Sequence, residues 1–143
     1  MTFERFKTIR FQHCDPAGII FYPQYFVLFH EVIEDWFTEG LATPYGDYIR
    51  IQRLGVPAVK ATDAFMTQAF LGERLRCNLS CTRLGSSSLE YQVDAWHGEE
   101  LRARGHATVV QMSLDSRRSV PFAPALRARI GQFLTAEKST SIE

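Results

Sequence analysis

The sequence predicts an α+β protein in which one long helix packs against an antiparallel sheet of about five strands. Large apolar side chains recur at helical spacing from Pro23 to about Gly40, and later runs alternate apolar with polar residues. Short turns separate those alternating runs, and consecutive strands joined by short turns pair antiparallel. A helix so rich in aromatic residues needs a large curved sheet to cover it.

The 143 residues predict one domain over 1–143, with a core of useful size. Lys and Arg number 16, as do Asp and Glu, so no charge pattern favours a nucleic-acid or membrane partner. No apolar run is long enough to span a bilayer, and the polar start is unlike a signal peptide. With the odd cysteine count of 3, these features predict a cytoplasmic protein without disulfides.

The first predicted strand, residues 3–12, leads into the turn Asp15-Pro16-Ala17-Gly18. Pro16 pushes Asp15 toward an extended backbone, and Gly18 allows a turn that a side chain would resist. The sequence therefore holds a carboxylate in a tight turn just before a helix, in apolar surroundings. That arrangement suits chemistry, and it equally suits an aspartate that only caps its turn.

The long helix is predicted to begin at Pro23, a residue type favoured in the first turn, and to end near Gly40. Its buried face is predicted to be a broad apolar stripe, which Leu28 and Phe26 widen. The stripe consists of Tyr25, Phe29, Val32, Ile33, Trp36 and Phe37.

The rest of the chain is mostly strand. Residues 47–55 predict a short helix ended by Gly55, and 58–70 predict a strand. Two alternating strands meet at the turn Gly85-Ser86, and a hairpin at 97–100 leads to the last strand, 101–112. Phe122, Leu126, Ile130 and Phe133 predict a short final helix, and 135–143 a polar tail.

Other reactive side chains are open to ordinary explanations. His13 lies two residues before Asp15, so in an extended turn its imidazole would tune or bond the carboxylate. His30 and Glu34 share a helix face, but the second histidine of the common zinc motif is missing, so no metal is predicted. Cys14 is interpreted as a structural thiol, and Cys77 and Cys81 share one strand face.

The run His13-Cys14-Asp15-Pro16-Ala17-Gly18-Ile19-Ile20-Phe21-Tyr22-Pro23-Gln24-Tyr25 resembles the active-site signature of the hotdog-fold acyl-CoA thioesterases. It is most similar to the 4-hydroxybenzoyl-CoA thioesterase branch. The likeness continues through Gly55-Val56-Pro57 and the strand-turn-strand finish. It implies a sheet wrapped around the helix and a dimer, often paired into a tetramer, with active sites between subunits.

By this resemblance Asp15 is the catalytic carboxylate, acting as nucleophile or as general base for water. The backbone N–H of Tyr22, at the helix N-terminus, would polarise the thioester carbonyl, as free N–H groups and the helix dipole allow. Gly18 and Pro23 in the motif, and Thr62 and Asp63 on the facing strand, are predicted to contact substrate.

The sequence departs from the family pattern in two places. The family often has an acidic residue where His13 stands, so the local charge differs. Where the aromatic-acyl branch carries basic residues that meet the nucleotide phosphates, this turn has only Arg83, followed by serines that include Ser87 and Ser88. These three residues, or Arg74 and Arg76, are the predicted contacts to coenzyme A, and solvated strand residues are the alternative.

The resulting prediction is a thioester hydrolase that splits a small or medium acyl-CoA, aromatic acyl groups included, into acid and CoA without a cofactor. Coenzyme A would enter only as part of the substrate, and the protein would form a homodimer or homotetramer. An acyl-carrier-protein thioesterase, a non-catalytic acyl-thioester binding module and a structural oligomer are the alternatives. A binding module has no use for a carboxylate beside a thioester carbonyl, so Asp15 favours an enzyme.

Overall fold

The computed structural model describes residues 1–135 and shows the α+β architecture that the sequence predicts. The strands are β1 Phe3–Thr8, β2 Leu54–Gly55, β3 Ala58–Phe65, β4 Arg74–Leu84, β5 Ser88–His97, β6 Glu100–Val110 and β7 Met112–Ser113. Five of them form one sheet in the order β1-β4-β5-β6-β3, and each neighbouring pair is antiparallel. The short strands β2 and β7 form a separate antiparallel pair.

Three α-helices accompany the sheet: α1 Gln24–Asp35, α2 Tyr45–Arg50 and α3 Pro124–Gly131. A π-helical turn, Trp36–Gly40, extends α1, so the predicted helix from Pro23 to Gly40 is confirmed apart from Pro23, which is the N-cap. All six residues of the predicted stripe are buried, as is Leu28. Phe26 is half-exposed instead, because it lies beside the stripe and faces the open edge at β3. None of the helices within residues 1–135 is long and apolar enough to cross a membrane.

Some predicted boundaries were wrong for local reasons. Residues 11–13 form a 3-10 turn rather than continuing the first strand, because the amides of His13 and Cys14 bond back to the carbonyls of Arg10 and Phe11. The second helix ends at Arg50, and Gly55 belongs to β2 instead of capping that helix. The predicted final helix is confirmed as α3, with Leu126 and Ile130 on its buried face. Phe122 and Phe133 lie just outside its ends and are buried as well. The predicted tail, apart from Thr135, lies outside the described residues.

The connection after β3 matters most for the site. Although β4, β5 and β6 pair in sequence order, β3 pairs with β6 at the far edge of the sheet. The segment 66–73 must therefore cross one end of the sheet, over three strand spacings or about 14 Å. We call residues 66–73 the bracing loop. It passes directly beneath the Asp15 turn.

Candidate active site

The motif around Asp15 folds as a tight hairpin. Cys14 and Ile20 form an antiparallel bridge, the Asp15 N–H donates to the Ile19 carbonyl at 2.9 Å, and the Gly18 N–H donates to the Asp15 carbonyl at 3.0 Å. One pair further from the tip, the Phe21 N–H donates to the His13 carbonyl. Asp15 therefore lies at the tip of a hairpin whose second arm leads directly into α1.

The Asp15 carboxylate is held by the backbone of its own turn. Its Oδ1 accepts hydrogen bonds from the N–H groups of Ala17 at 2.8 Å and Ile19 at 3.3 Å. Within the described chain no hydrogen bond occupies Oδ2. The turn thus fixes one oxygen and leaves the other without a hydrogen bond, as a nucleophile or general base requires.

Gly18 is required by the shape of this turn, because its φ is +81°. We expect Gly18→Ala to lower the free energy of unfolding by about 1 kcal/mol or more, since side chains disfavour this backbone region. Gly46→Ala is the matched control, because Gly46 lies in α2 and an added methyl there meets nothing within 4 Å. Urea unfolding of both variants checks this, and equal stability of the two would contradict it.

The head of α1 presents a free backbone donor. Pro23 has no N–H, and the amides of Gln24, Tyr25 and Phe26 donate to the carbonyls of residues 21–23. The Tyr22 N–H makes no hydrogen bond among residues 1–135, and the Tyr22 residue is 61% exposed. A free amide at a helix N-terminus can stabilise negative charge on a carbonyl oxygen.

His13 does not bond Asp15, and the suggestion that it would is wrong. The ring is only 3% exposed. Its Nδ1 accepts the Arg10 N–H at 2.9 Å, and its Nε2 lies 3.6 Å from Oε2 of Glu31 on α1. The 3-10 turn is the reason, because it rotates His13 inward instead of leaving it extended beside the carboxylate. His13 anchors the base of the hairpin to α1.

The bracing loop supports the hairpin from below. The Leu71 N–H donates to the Gly18 carbonyl at 2.8 Å, and the Ile20 N–H donates to the Ala69 carbonyl at 2.9 Å. Arg102 on β6, 5% exposed, fastens the loop in turn. Its guanidinium donates to the Gln68 carbonyl at 2.8 Å and to Glu73 at 2.6 and 3.2 Å. These hydrogen bonds lower the pKa of the Glu73 carboxyl.

Thr62 and Asp63, the predicted contacts on the facing strand, lie on β3 and point to opposite sides of the sheet. Thr62 is exposed. Asp63 faces α1, where a methyl group added to Gly105 would lie 2.8 Å from its Oδ1 and 2.5 Å from the Phe29 ring. Phe65, on the same side of β3 as Asp63, contacts the Tyr22 and Tyr25 rings. This face of β3 therefore continues the surface that begins at Tyr22.

Burial raises the pKa of the Asp63 carboxyl to about 7. Its Oδ2 is buried without a hydrogen-bond partner among residues 1–135. The fold therefore favours the neutral acid. Between about pH 4 and pH 7 the Asp63 carboxyl is protonated in the native state and ionised in the unfolded chain. Native stability should accordingly fall as the pH rises through this window.

Asp63→Asn removes this titration. The stability of the variant relative to wild type should therefore be greater at pH 8 than at pH 5. We expect about 1–2 kcal/mol, which allows for screening at the open side of the pocket. Thermal or urea unfolding at both pH values measures it, with Asp47→Asn at an exposed position of α2 as control. An equal pH dependence in wild type and Asp63→Asn would contradict the prediction.

Arg83, Ser87 and Ser88 lie at the other end of the sheet. The bracing loop, which contacts the Asp15 turn, lies before β4, and these three residues lie around the turn that follows β4. The 11 residues of β4 span about 35 Å, so the two ends of the strand are far apart. The turn is rigid, because the carbonyls of Ser86 and Ser87 accept the amides of Phe122 and Gln111. Arg83 is exposed and lies 3.9 Å from Glu90. Within one protomer these residues do not meet Asp15.

The other reactive side chains that the sequence singled out form no second centre within the described part of the chain. His30 and Glu34 make a surface pair with 3.2 Å between Nδ1 and Oε2. Cys77 and Cys81 are buried on one strand face, as predicted, and Cys14 is half-buried. Burial and the Asp15 charge raise the pKa of the Cys14 thiol, which disfavours a thiolate nucleophile there. No cluster of three or more metal-ligating side chains occurs within residues 1–135.

Sequence reasoning missed Arg102, Glu73 and the lining of the Asp63 pocket. Arg102 and Glu73 are 29 residues apart and look like ordinary strand and loop charges in the sequence. Gly105 did carry a signal, since a glycine inside a strand often marks the close approach of another group. Here that group is the Phe29 ring.

A curved antiparallel sheet around a central helix, with an aspartate turn at the helix head, defines the hotdog-fold thioesterases, a class of thioester hydrolases. A family model described as the thioesterase-like superfamily matches residues 9–130. The chain belongs to this family, and the resemblance found in the sequence is confirmed.

Known relatives support the same placement. A curated 1,4-dihydroxy-2-naphthoyl-CoA hydrolase from Synechocystis sp. is 26% identical over 123 residues, 84% of this chain and 88% of the relative. A thioesterase-superfamily structure from Jannaschia sp. CCS1 superposes with a TM-score of 0.85 at 26% identity, covering 94% of each chain. The Synechocystis 1,4-dihydroxy-2-naphthoyl-CoA thioesterase structure gives 0.82 at 23% identity, covering 92% of this chain and 96% of that one.

Proposed function

We propose that this enzyme hydrolyses an acyl-CoA to the free acid and CoA, with Asp15 as nucleophile or general base. The observation that carries the proposal is the pairing of two groups on one hairpin. Asp15 is fixed through Oδ1 with Oδ2 left open, and Tyr22 supplies an unbonded N–H at the head of α1.

Asp15 can promote hydrolysis of the thioester by either of two routes. As nucleophile, Oδ2 attacks the thioester carbonyl, the C–S bond breaks, and water then hydrolyses the resulting mixed anhydride. As general base, the carboxylate takes a proton from the water that attacks, and the thiolate leaves with the electrons of the C–S bond. In both cases the carbonyl oxygen becomes negative, and the Tyr22 N–H is the donor proposed to stabilise it. Neither route calls for a metal or cofactor.

An aromatic acyl group suits the surface beside Tyr22. The Tyr22 ring lies 5.7 Å from the Phe65 ring, which stacks at 5.4 Å on Tyr25. Such a wall favours a flat apolar group. The curated relative acts, by its name, on a dihydroxynaphthoyl-CoA, which supports an aromatic acyl-CoA for this chain as well.

The proposal includes a homodimer that continues the sheet across β3. Among the described residues β3 has no neighbour on its outer side, and an uncovered sheet edge is a template for pairing. Exposed apolar side chains surround this edge, as expected of a surface that a second copy covers. They are Phe21, Tyr22, Phe26, Val59, Phe65 and Met66.

The dimer also explains how distant residues share one site. Two β3 strands paired antiparallel about a two-fold axis bring the 85–88 end of one protomer to the Asp15 end of its partner. The partner's Arg83, Ser87 and Ser88 are then the candidates for contacts to the CoA phosphates. Sedimentation should give twice the monomer mass, or four times for a tetramer, and a stable monomer would contradict a shared site. We expect a cytoplasmic location, which the three free cysteines support.

Thiol release from a panel of acyl thioesters tests the activity. The panel contains benzoyl-CoA, 1,4-dihydroxy-2-naphthoyl-CoA, hexanoyl-CoA and the matching acyl-carrier-protein thioesters. We expect kcat/KM for an aromatic CoA thioester to be at least about tenfold above that for its carrier-protein counterpart. Preference for the carrier protein would favour that alternative, and binding without thiol release would favour a binding module.

A further inference from the structure

Asp63 lies in a small pocket between β3 and α1 that the proposed reaction does not use. Phe26 and Phe29 of α1 form one wall, and Ala61, Tyr91 and Ala107 belong to the strands around it. The cavity is about 30 Å³, room for one or two water-sized groups, so it fits the tip of a ligand. His106 is the other ionisable residue of the lining besides Asp63 and Tyr91, and the remaining walls are aromatic, aliphatic or glycine.

The Asp63 carboxyl has an unused hydrogen-bonding atom in this pocket. Its Oδ2 is buried and has no partner among residues 1–135. Leaving a buried polar atom unpaired is unfavourable, so such an atom calls for a reason. Gly105 contributes to that placement, since any larger residue there would collide with Phe29 and the Asp63 carboxyl.

The Asp63 pocket lies close to the Asp15 turn and Tyr22. Phe26 lies one helical turn, about 6 Å, beyond Tyr22. Phe65, which contacts the Tyr22 ring, is two residues along β3 from Asp63, or about 7 Å. An acyl group whose carbonyl meets the Tyr22 N–H and whose ring follows the aromatic wall therefore brings its distal edge toward Asp63.

We infer that Asp63 is a specificity-determining residue that hydrogen-bonds a hydroxyl group on the distal edge of an aromatic acyl group. The inference rests on the proposed thioesterase function of the Asp15–Tyr22 site. A hydroxyl donates to the free carboxyl oxygen and replaces the missing partner. An unsubstituted ring leaves that oxygen unpaired, so the pocket discriminates against it.

The test compares benzoyl-CoA with 3-hydroxybenzoyl-CoA, 4-hydroxybenzoyl-CoA and 1,4-dihydroxy-2-naphthoyl-CoA. In wild type, kcat/KM for the best hydroxylated substrate should exceed that for benzoyl-CoA at least about tenfold. Asp63→Leu should bring this ratio close to one, and Asp63→Asn, which keeps the size and a hydrogen-bonding amide, should reduce it less. Asp47→Asn is the control that should leave the ratio unchanged.

Binding provides a second readout that does not depend on turnover. Calorimetry on Asp15→Asn should show tighter binding of the best hydroxylated substrate than of benzoyl-CoA, and Asp15→Asn/Asp63→Leu should lose that difference. A wild type without hydroxyl preference, or a preference that survives in both Asp63 variants, would overturn the inference. If no thioester is hydrolysed, the proposed function fails, and equal affinities in the binding comparison would then overturn the role of Asp63 separately.

Discussion

Asp15→Asn is expected to lower kcat for the best acyl-CoA by at least about 10²-fold, whichever of its two roles Asp15 plays. The amide oxygen of asparagine can still accept the N–H groups of Ala17 and Ile19, so the turn should keep its shape. What disappears is the charge and basicity of the oxygen at the Oδ2 position. The loss should therefore appear in kcat, with little change in unfolding free energy.

Thiol-release kinetics and urea unfolding of the same preparation separate these two effects. Asp47→Asn serves as the matched control, because it removes one exposed aspartate charge far along the chain, at α2. Its kcat and stability should remain near those of wild type. Comparable turnover by Asp15→Asn would exclude Asp15 from the chemistry, and a large loss of stability would show that it mainly caps the turn.

The elements that repeat a local pattern could be predicted from the sequence. The stripe on α1 and the alternation in β4 and β5 have periods set by backbone geometry, so their buried residues follow directly. The Asp15 turn was also predictable, because Pro16 and Gly18 restrict the backbone on either side. These features depend on neighbours within a few positions.

Features that depend on distant partners could not be predicted in this way. The position of β3 at the sheet edge follows from a crossover that no alternation shows. The short sequence distance between His13 and Asp15 predicted a contact between them. The 3-10 turn instead directs His13 toward Glu31, 18 residues further along the chain. The burial of Asp63 depends on Phe29 and Gly105, which lie on α1 and β6. Each of these is a long-range contact.

The support under the Asp15 turn depends on one such long-range contact, between Arg102 and Glu73, and its loss has an energetic consequence. Arg102 donates to Glu100 at 2.7 Å in addition to its bonds to Glu73 and the Gln68 carbonyl. Replacing this buried side chain would leave the Gln68 carbonyl without the guanidinium donor and Glu73 with only the Phe70 N–H. Removing one partner of a buried pair costs about 3–5 kcal/mol, and the partial exposure of Glu73 places this case near the lower end.

We therefore expect Arg102→Met to lower the free energy of unfolding by about 3 kcal/mol at pH 7. The bracing loop would loosen, and since it holds the carbonyl of Gly18 and the amide of Ile20, kcat should fall as well. The lowered pKa of Glu73 sets the pH dependence. Its contribution to stability is present above about pH 4.5 and is lost as the pH falls through the lowered native pKa.

A double-mutant cycle with Glu73→Gln tests whether the ion pair itself causes the loss. Because the two side chains are in direct contact, the double variant should be destabilised by less than the sum of the single variants. Arg104→Met is the matched control, since Arg104 forms a similar forked pair with Asp94 that does not touch the bracing loop. It should lose some stability with little change in kcat. Equal effects of Arg102→Met and Arg104→Met on kcat would show that the contacts of Arg102 with the bracing loop do not help to position the Asp15 hairpin.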